Sequence, residues 1–200
     1  MSERTVTPSQ TIGPFFHYGL VGRSYGFPEF VGNDLTEGVS GEDDHKIRIV
    51  GRLLDGDGQP INDGLIELWQ ANPAGRYDHP EDDQDKPLTE GFKGFGRCAT
   101  AEDGSFSFTT LKPGPVPGLG NTLQAPHICV GIFARGVLKR MVTRIYFEDE
   151  TGANADDPVL GTIEEDRRPT LIAPREESEI PVYRFDINIQ GDAETVFFDV

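Results

Sequence analysis

The chain has little sulfur, little positive charge and no long apolar run. Two cysteines, Cys98 and Cys129, in 200 residues permit one disulfide but give no argument for a disulfide-built fold. The opening residues, Met-Ser-Glu-Arg-Thr, show neither the basic segment nor the apolar core of a secretory signal, so two reduced thiols in a cytoplasmic protein are expected. No stretch approaches the roughly 18 apolar residues of a membrane-spanning helix. Lysine and arginine number 18 against 34 aspartate and glutamate, a net charge of −16, which argues against nucleic acid and anionic membrane as partners. The same charge repels a small anion at long range, so a site for one needs a local arginine. What is abundant is glycine, 24, and proline, 15, spread along the chain, which disfavours long helices and favours many turns. Thirteen phenylalanines and 36% hydrophobic residues supply a core for one large domain.

Strand-like runs recur at short spacing over residues 46–53, 65–69, 105–111, 128–133, 138–147, 182–189 and 195–199, several alternating apolar with polar. Asp-Gly-Asp-Gly at 55–58, Glu-Asp-Gly at 102–104 and Ala-Arg-Gly at 134–136 suit the turns between them. The pattern predicts an all-β fold, an antiparallel β-sandwich with Greek-key-like connections spanning residues 46–200. Residues 1–45 have little strand character and read as an extended N-terminal arm that wraps a partner. At most one short helix is expected, within 152–163, with Asn or Asp capping and Pro158 in its first turn.

Within Gln-Ala-Pro-His-Ile-Cys at 124–129, His127 and Cys129 are two residues apart, so on an extended strand both side chains leave the same face. They look like half of a metal site. Trp69 reads as a core residue and Glu67 as an ion-pair partner, while His17 and His45 read as surface or interface residues. His79 and the acidic run at 81–85 read as a solvated loop face.

The strongest local signal runs from Ile49 to Tyr77: a strand, a Gly-rich turn, a strand carrying Glu-Leu-Trp-Gln-Ala-Asn at 67–72, and a loop ending in Gly75-Arg-Tyr77. Gly-Arg-Cys-Ala-Thr at 96–100, Asp-Gly-Ser-Phe-Ser-Phe at 103–108, Leu-Lys-Pro-Gly-Pro at 111–115 and Ile-Tyr-Phe-Glu at 145–148 follow it. In this order the segments resemble the intradiol ring-cleaving dioxygenases. The ends, at 7–15 and 183–198, extend the resemblance over most of the chain.

The resemblance implies a β-sandwich in which two tyrosines and two histidines hold a non-haem Fe(III), a hard ion suited to phenolate oxygen and imidazole nitrogen. Tyr77 matches the first tyrosine and His127 the first histidine. Val116 stands at the second tyrosine's place, Cys129 at the second histidine's, and Gln124 where the family has a charge-stabilising arginine. Valine has no lone pair to give, and a soft thiolate tends to reduce ferric iron. No metal and no catalytic residue are therefore expected in this chain. A heteromeric branch of the family pairs such a chain with a homologous iron-binding beta chain, in an (alpha-beta)n assembly. That assembly uses O2 to cleave 3,4-dihydroxybenzoate between its two hydroxyls, giving 3-carboxy-cis,cis-muconate. The match implies that Thr11, Gly13 and Pro14 line the partner's substrate channel and that Arg135 meets the substrate carboxylate. Taken alone, an arginine in an Ala-Arg-Gly turn reads as solvated or ion-paired. Two other readings stand beside this one: a self-sufficient metalloenzyme using Tyr77, His127 and Cys129, and a non-catalytic β-sandwich binding module.

Overall fold

A computed structural model of the chain describes residues 19–28, 35 and 45–200. Thr11, Gly13, Pro14, His17 and most of the segment expected to form an arm lie outside these described residues. The strands are β1 (Lys46–Leu54), β2 (Leu65–Gln70), β3 (Phe95–Ala99), β4 (Ser105–Leu111), β5 (Val116–Pro117), β6 (Leu123–Gln124), β7 (His127–Phe133), β8 (Met141–Phe147), β9 (Ile172–Ala173), β10 (Arg175–Glu176), β11 (Val182–Arg184) and β12 (Ile187–Asn188). A short helix, α1 (Thr151–Asp156), overlaps the expected span, but its N-cap is Glu150 with no side-chain cap, and Pro158 lies beyond its C-cap Asp157 instead of in its first turn.

Two five-stranded sheets carry the fold. In the first, β1 is central, antiparallel to β4 from Lys46↔Leu111 to Arg52↔Ser105. In the second the order is β3-β2-β7-β8-β9, and β5 and β6 form a separate hairpin. The chain passes from β1 to β2 and β3, returns for β4, and crosses again for β7 and β8, a Greek-key-like course. The pairings β1–β4, β2–β3, β2–β7 and β7–β8 are antiparallel. The edges differ from the antiparallel expectation: β11 and β12 lie parallel to β1, and β9 parallel to β8. A parallel neighbour needs a long crossover, and the stretch from Phe147 to Ile172, containing α1 and two 3-10 turns, provides it for β9.

Period-two alternation decides what each sheet buries. Ile47, Ile49 and Leu53 of β1 and Phe106 and Phe108 of β4 point inward from the first sheet. Ile66 and Leu68 of β2, Ile128, Val130 and Ile132 of β7, and Ile145 and Phe147 of β8 meet them from the second, with Tyr183, Phe185 and Ile187 completing one cluster. Phe147 and Tyr183 pack edge to face across the sandwich with centroids 4.8 Å apart. The buried Gln70 amide bridges the layers, donating to the Leu111 carbonyl at 2.7 Å and accepting from Thr110 Oγ1 at 2.8 Å. Two described parts of the N-terminal segment pack on the same chain. The Leu35 carbonyl accepts from Thr109 N at 2.9 Å and its side chain sits in the core, while Val21 packs against Leu65. Among the described residues no helix is long and apolar enough to cross a membrane.

β11 and β12 follow β1 in one parallel register, and between them the chain bulges close over Gly51, with Phe185 N donating to the Val50 carbonyl at 2.8 Å. A Cβ at Gly51 would lie 1.9 Å from the Phe185 carbonyl oxygen. Only glycine lets the two backbones close here. Gly51→Ala is expected to cost about 3 kcal/mol by overpacking, read as a lowered urea midpoint with an unchanged m-value.

Candidate functional site

Since Ile128, Val130 and Ile132 are committed to the core, His127, Cys129 and Gly131 emerge on the outer face of the second sheet. The register sets Trp69 of β2 opposite Cys129, Cys129 opposite Arg144 of β8, and His127 opposite Tyr146. Directly paired residues share a face about 5 Å apart, so Trp69, Cys129 and Arg144 form one outward row. Trp69, read from sequence as a core residue, is a correction. It stands on this outer face, half-buried, because Leu68 takes the inward place on β2.

The loop bearing Tyr77 is tied down by Asn72. The Asn72 carbonyl accepts from Gly75 N at 2.8 Å and Gly114 N at 3.0 Å, its side-chain oxygen accepts from Arg76 N at 2.9 Å, and its amide donates to the Pro87 carbonyl at 2.8 Å. Gly75, with φ of 76°, rides over Pro115 so closely that a Cβ would lie 2.0 Å from its carbonyl oxygen. This contact brings the loop against Val116, which is buried and pairs with Gln124 in the β5–β6 hairpin. Tyr77 stacks on Trp69 with centroids 5.6 Å apart and planes 15° apart. The His79 ring meets the same indole edge-on. Tyr77, Val116, Gln124, His127 and Cys129, five positions picked from the sequence, thus surround one place in the fold.

Arg144, not among the residues expected from the sequence, occupies that place. Its Nη1 donates to Gln124 Oε1 at 2.7 Å and lies 3.3 Å from the Tyr146 hydroxyl. Tyr146 in turn donates to Asp157 Oδ1 at 3.2 Å. The Asp157 carboxyl also accepts from Ala125 N at 2.7 Å and from Val159 N and Leu160 N at 2.8 Å, so it is built into the backbone behind the site. A signal for Arg144 did exist. Alternation over 141–147 sets Val142, Arg144 and Tyr146 on one face, and a hairpin centred near the Ala-Arg-Gly turn brings that face beside His127 and Cys129.

The electrostatics follow from burial and from this guanidinium. Burial, aided by the charge on nearby Cys129 and opposed by Arg144, pushes the Tyr77 phenol up to about 12. Burial likewise raises the Cys129 thiol, with Arg144 opposing. His127 is only 3% exposed, and its Nδ1 lies 2.7 Å from the Ala125 carbonyl oxygen, which can only accept, so the proton sits on Nδ1. Burial first, then the positive charge of Arg144, depresses the His127 pKa to about 4. At neutral pH a neutral phenol, a neutral thiol and a neutral imidazole therefore surround a fixed cation. Ferric iron suits two phenolates and two imidazoles around an open position, whereas here a valine stands for one phenolate, a thiol for one imidazole, and a fixed cation lies among them. These residues do not fit it.

The remaining predicted residues lie elsewhere. Glu67 is paired with Arg97, whose Nε donates to it at 2.9 Å. Cys98 and Cys129 are free thiols. Arg135 sits in the turn after β7, 83% exposed on its side chain, with Nε 3.0 Å from Asp63 Oδ2. That turn is at the far end of β7, about 20 Å from His127 at 3.3 Å per residue. Arg135 and the Tyr77–His127 cluster are not one site. A cavity of about 620 Å³ opens on the outer face beside Cys129 and Arg144, and a second of about 450 Å³ lies between Tyr77, Val116 and the acidic loop. Trp69 borders both.

A family profile described as Dioxygenase matches residues 31–191. The protocatechuate 3,4-dioxygenase alpha chain of Burkholderia cepacia is 42% identical over 198 residues, covering 97% of each chain. The protocatechuate 3,4-dioxygenase beta chain of the same organism is 37% identical over 169 residues, 80% of this chain and 72% of that one. Among solved structures, hydroxyquinol 1,2-dioxygenase from Pseudomonas putida DLL-E4 superposes with a TM-score of 0.61 at 19% identity, covering 92% of this chain and 67% of the other, a likeness of fold.

The buried imidazole makes stability depend on pH. Unfolded, His127 titrates near 6.5; folded, near 4. Between these values the unfolded chain takes up a proton that the folded chain refuses. Its contribution is constant above pH 6.5 and is lost as pH falls toward 4, by an amount on the order of 3 kcal/mol. Urea unfolding at pH 7 and pH 4.5 should show a larger loss for the wild-type chain than for His127→Gln. Equal losses would disprove the assignment.

Proposed function

The chain belongs to the dioxygenase family, and on that premise we propose that it is the iron-free alpha subunit of a heteromeric protocatechuate 3,4-dioxygenase. The carrying observation is the Arg144 guanidinium, hydrogen-bonded to Gln124 within the ring of former ligand positions. A permanent positive charge there, with a valine and a protonated thiol at two of the ligand positions, opposes the binding of ferric iron. Likeness to an alpha chain over nearly its full length, together with a weaker likeness to a beta chain, supports a pair of homologous subunits. In this reading the beta partner holds Fe(III) and O2 chemistry takes place there, in the cytoplasm, within an (alpha-beta)n assembly. No catalytic residue belongs to this chain.

Its contribution is to the partner's pocket. Arg135 is exposed and, among the described residues, is held by a surface ion pair with Asp63, a contact that contributes little and yields readily to a better-placed anion. Its distance from the chain's own former site suits a residue that serves another subunit. A guanidinium gives a carboxylate two parallel hydrogen bonds, and in a chain of net charge −16 it offsets the long-range repulsion of 3,4-dihydroxybenzoate. Thr11, Gly13 and Pro14 would line the approach to the same carboxylate.

Purified alone, the chain is expected to be colourless, to hold substoichiometric iron and to show no O2 uptake with 3,4-dihydroxybenzoate. Assembled with an iron-bearing partner, the complex should turn over. Stoichiometric iron in the isolated chain would overturn the proposal. In the assembled enzyme, Arg135→Ala should raise KM for 3,4-dihydroxybenzoate about tenfold, the loss of one charge-assisted pair, with kcat little changed. An unaltered KM would remove Arg135 from the pocket.

A further inference from the structure

The cavity of about 620 Å³ on the outer face of the second sheet has no part in that function. Its walls include Trp69, Phe95, Val142 and Phe198, and Cys129 and Arg144 also line it. Arg144 lies against one wall, its guanidinium carbon 5.9 Å from the Phe198 ring centroid. Glu67, at the border, is neutralised by its pair with Arg97. Among the described residues, both hydrogen bonds of the Arg144 guanidinium run through Nη1, to Gln124 and Tyr146. That clamp orients the planar group while Nε and Nη2 retain their donors.

We propose that this cavity is a non-catalytic binding site for a small monocyclic aromatic carboxylate, with its carboxylate on Arg144 and its ring against Trp69 and Phe198. The polarity selects an anion, because two guanidinium groups, Arg140 and Arg144, line the pocket and the groups hydrogen-bonded to Arg144 are neutral. The aromatic walls select a flat ring over an aliphatic chain. The net charge of −16 weighs more heavily against multivalent anions than against a monoanion. Adjacent hydroxyls are unnecessary, since no ion fits here for them to chelate. The pocket is built from this chain's own residues, so the inference goes beyond the subunit role and stands apart from it.

The test uses the full chain and 4-fluorobenzoate, followed by 19F NMR, with neutral 4-fluorobenzamide as the comparison ligand. Saturable binding of the benzoate is expected. Arg144→Gln should weaken it at least about tenfold, and Arg144→Lys, which keeps the charge but not the fork, by less. The benzamide should bind wild type and Arg144→Gln alike. Absence of saturable benzoate binding to wild type would overturn the proposal. So would unchanged benzoate affinity in an Arg144→Gln chain that retains its circular dichroism. Should the glutamine variant not fold, equal wild-type affinity for benzoate and benzamide would overturn it as well. None of these readouts involves turnover, so they leave the subunit assignment to its own assay.

Discussion

The inward packing of Ile128, Val130 and Ile132 between the two sheets is the constraint on which the rest depends. A strand buried this way cannot slip by one residue without turning its apolar set to solvent. With β7 held in register, His127 and Cys129 must emerge on the other face. β2 and β8, hydrogen-bonded on either side, must then present Trp69, Arg144 and Tyr146 beside them. The chemistry of the outer face is thus a by-product of hydrophobic burial on the inner one.

What that face presents is a reversal of polarity. In the family's iron-holding arrangement, anionic donors converge on a cation. Here Val116 offers nothing, Cys129 and Tyr77 stay protonated through burial, and the cation is covalently part of β8. Burial first, and then the neighbouring guanidinium, keeps His127 weakly basic, since two adjacent positive charges would repel.

Much of this could be read in the sequence, for physical reasons. Alternating runs and glycine-bearing turns announced a β-sandwich, because burial on one face imposes a period of two. A short helix was expected within 152–163 on its proline and capping residues, yet the helix that forms starts from Glu150 without a side-chain cap and ends before Pro158, so those signals did not place it. Tyr77, Val116, His127 and Cys129 were singled out by motif order, and the fold draws these residues together. The parallel edges escaped notice because β9 through β12 are only two or three residues long, too short to display any period. Trp69 was placed in the core because tryptophan is apolar, although its parity on β2 with Glu67 already assigned it to the outer face. Arg144 escaped because a charged residue on an alternating strand looks like ordinary solvent exposure until the hairpin register is worked out. Asp157 lies 28 residues after Cys129, beyond α1, and only tertiary structure brings it behind the site.

The Asn72 hub has a consequence for how such a chain can come to exist. The Tyr77 loop is fastened by main-chain and amide hydrogen bonds to Asn72 and by the close backbone contact of Gly75 with Pro115. None of these fastenings involves a coordinating side chain. In proteins where a metal organises the loops, removing a ligand also removes folding free energy. Here the two are uncoupled. The side chains at positions 116, 129 and 144 take no part in these fastenings of the Tyr77 loop. A duplicated gene built on this frame can shed its inherited reactivity, keep its shape, and be recruited for its surface instead.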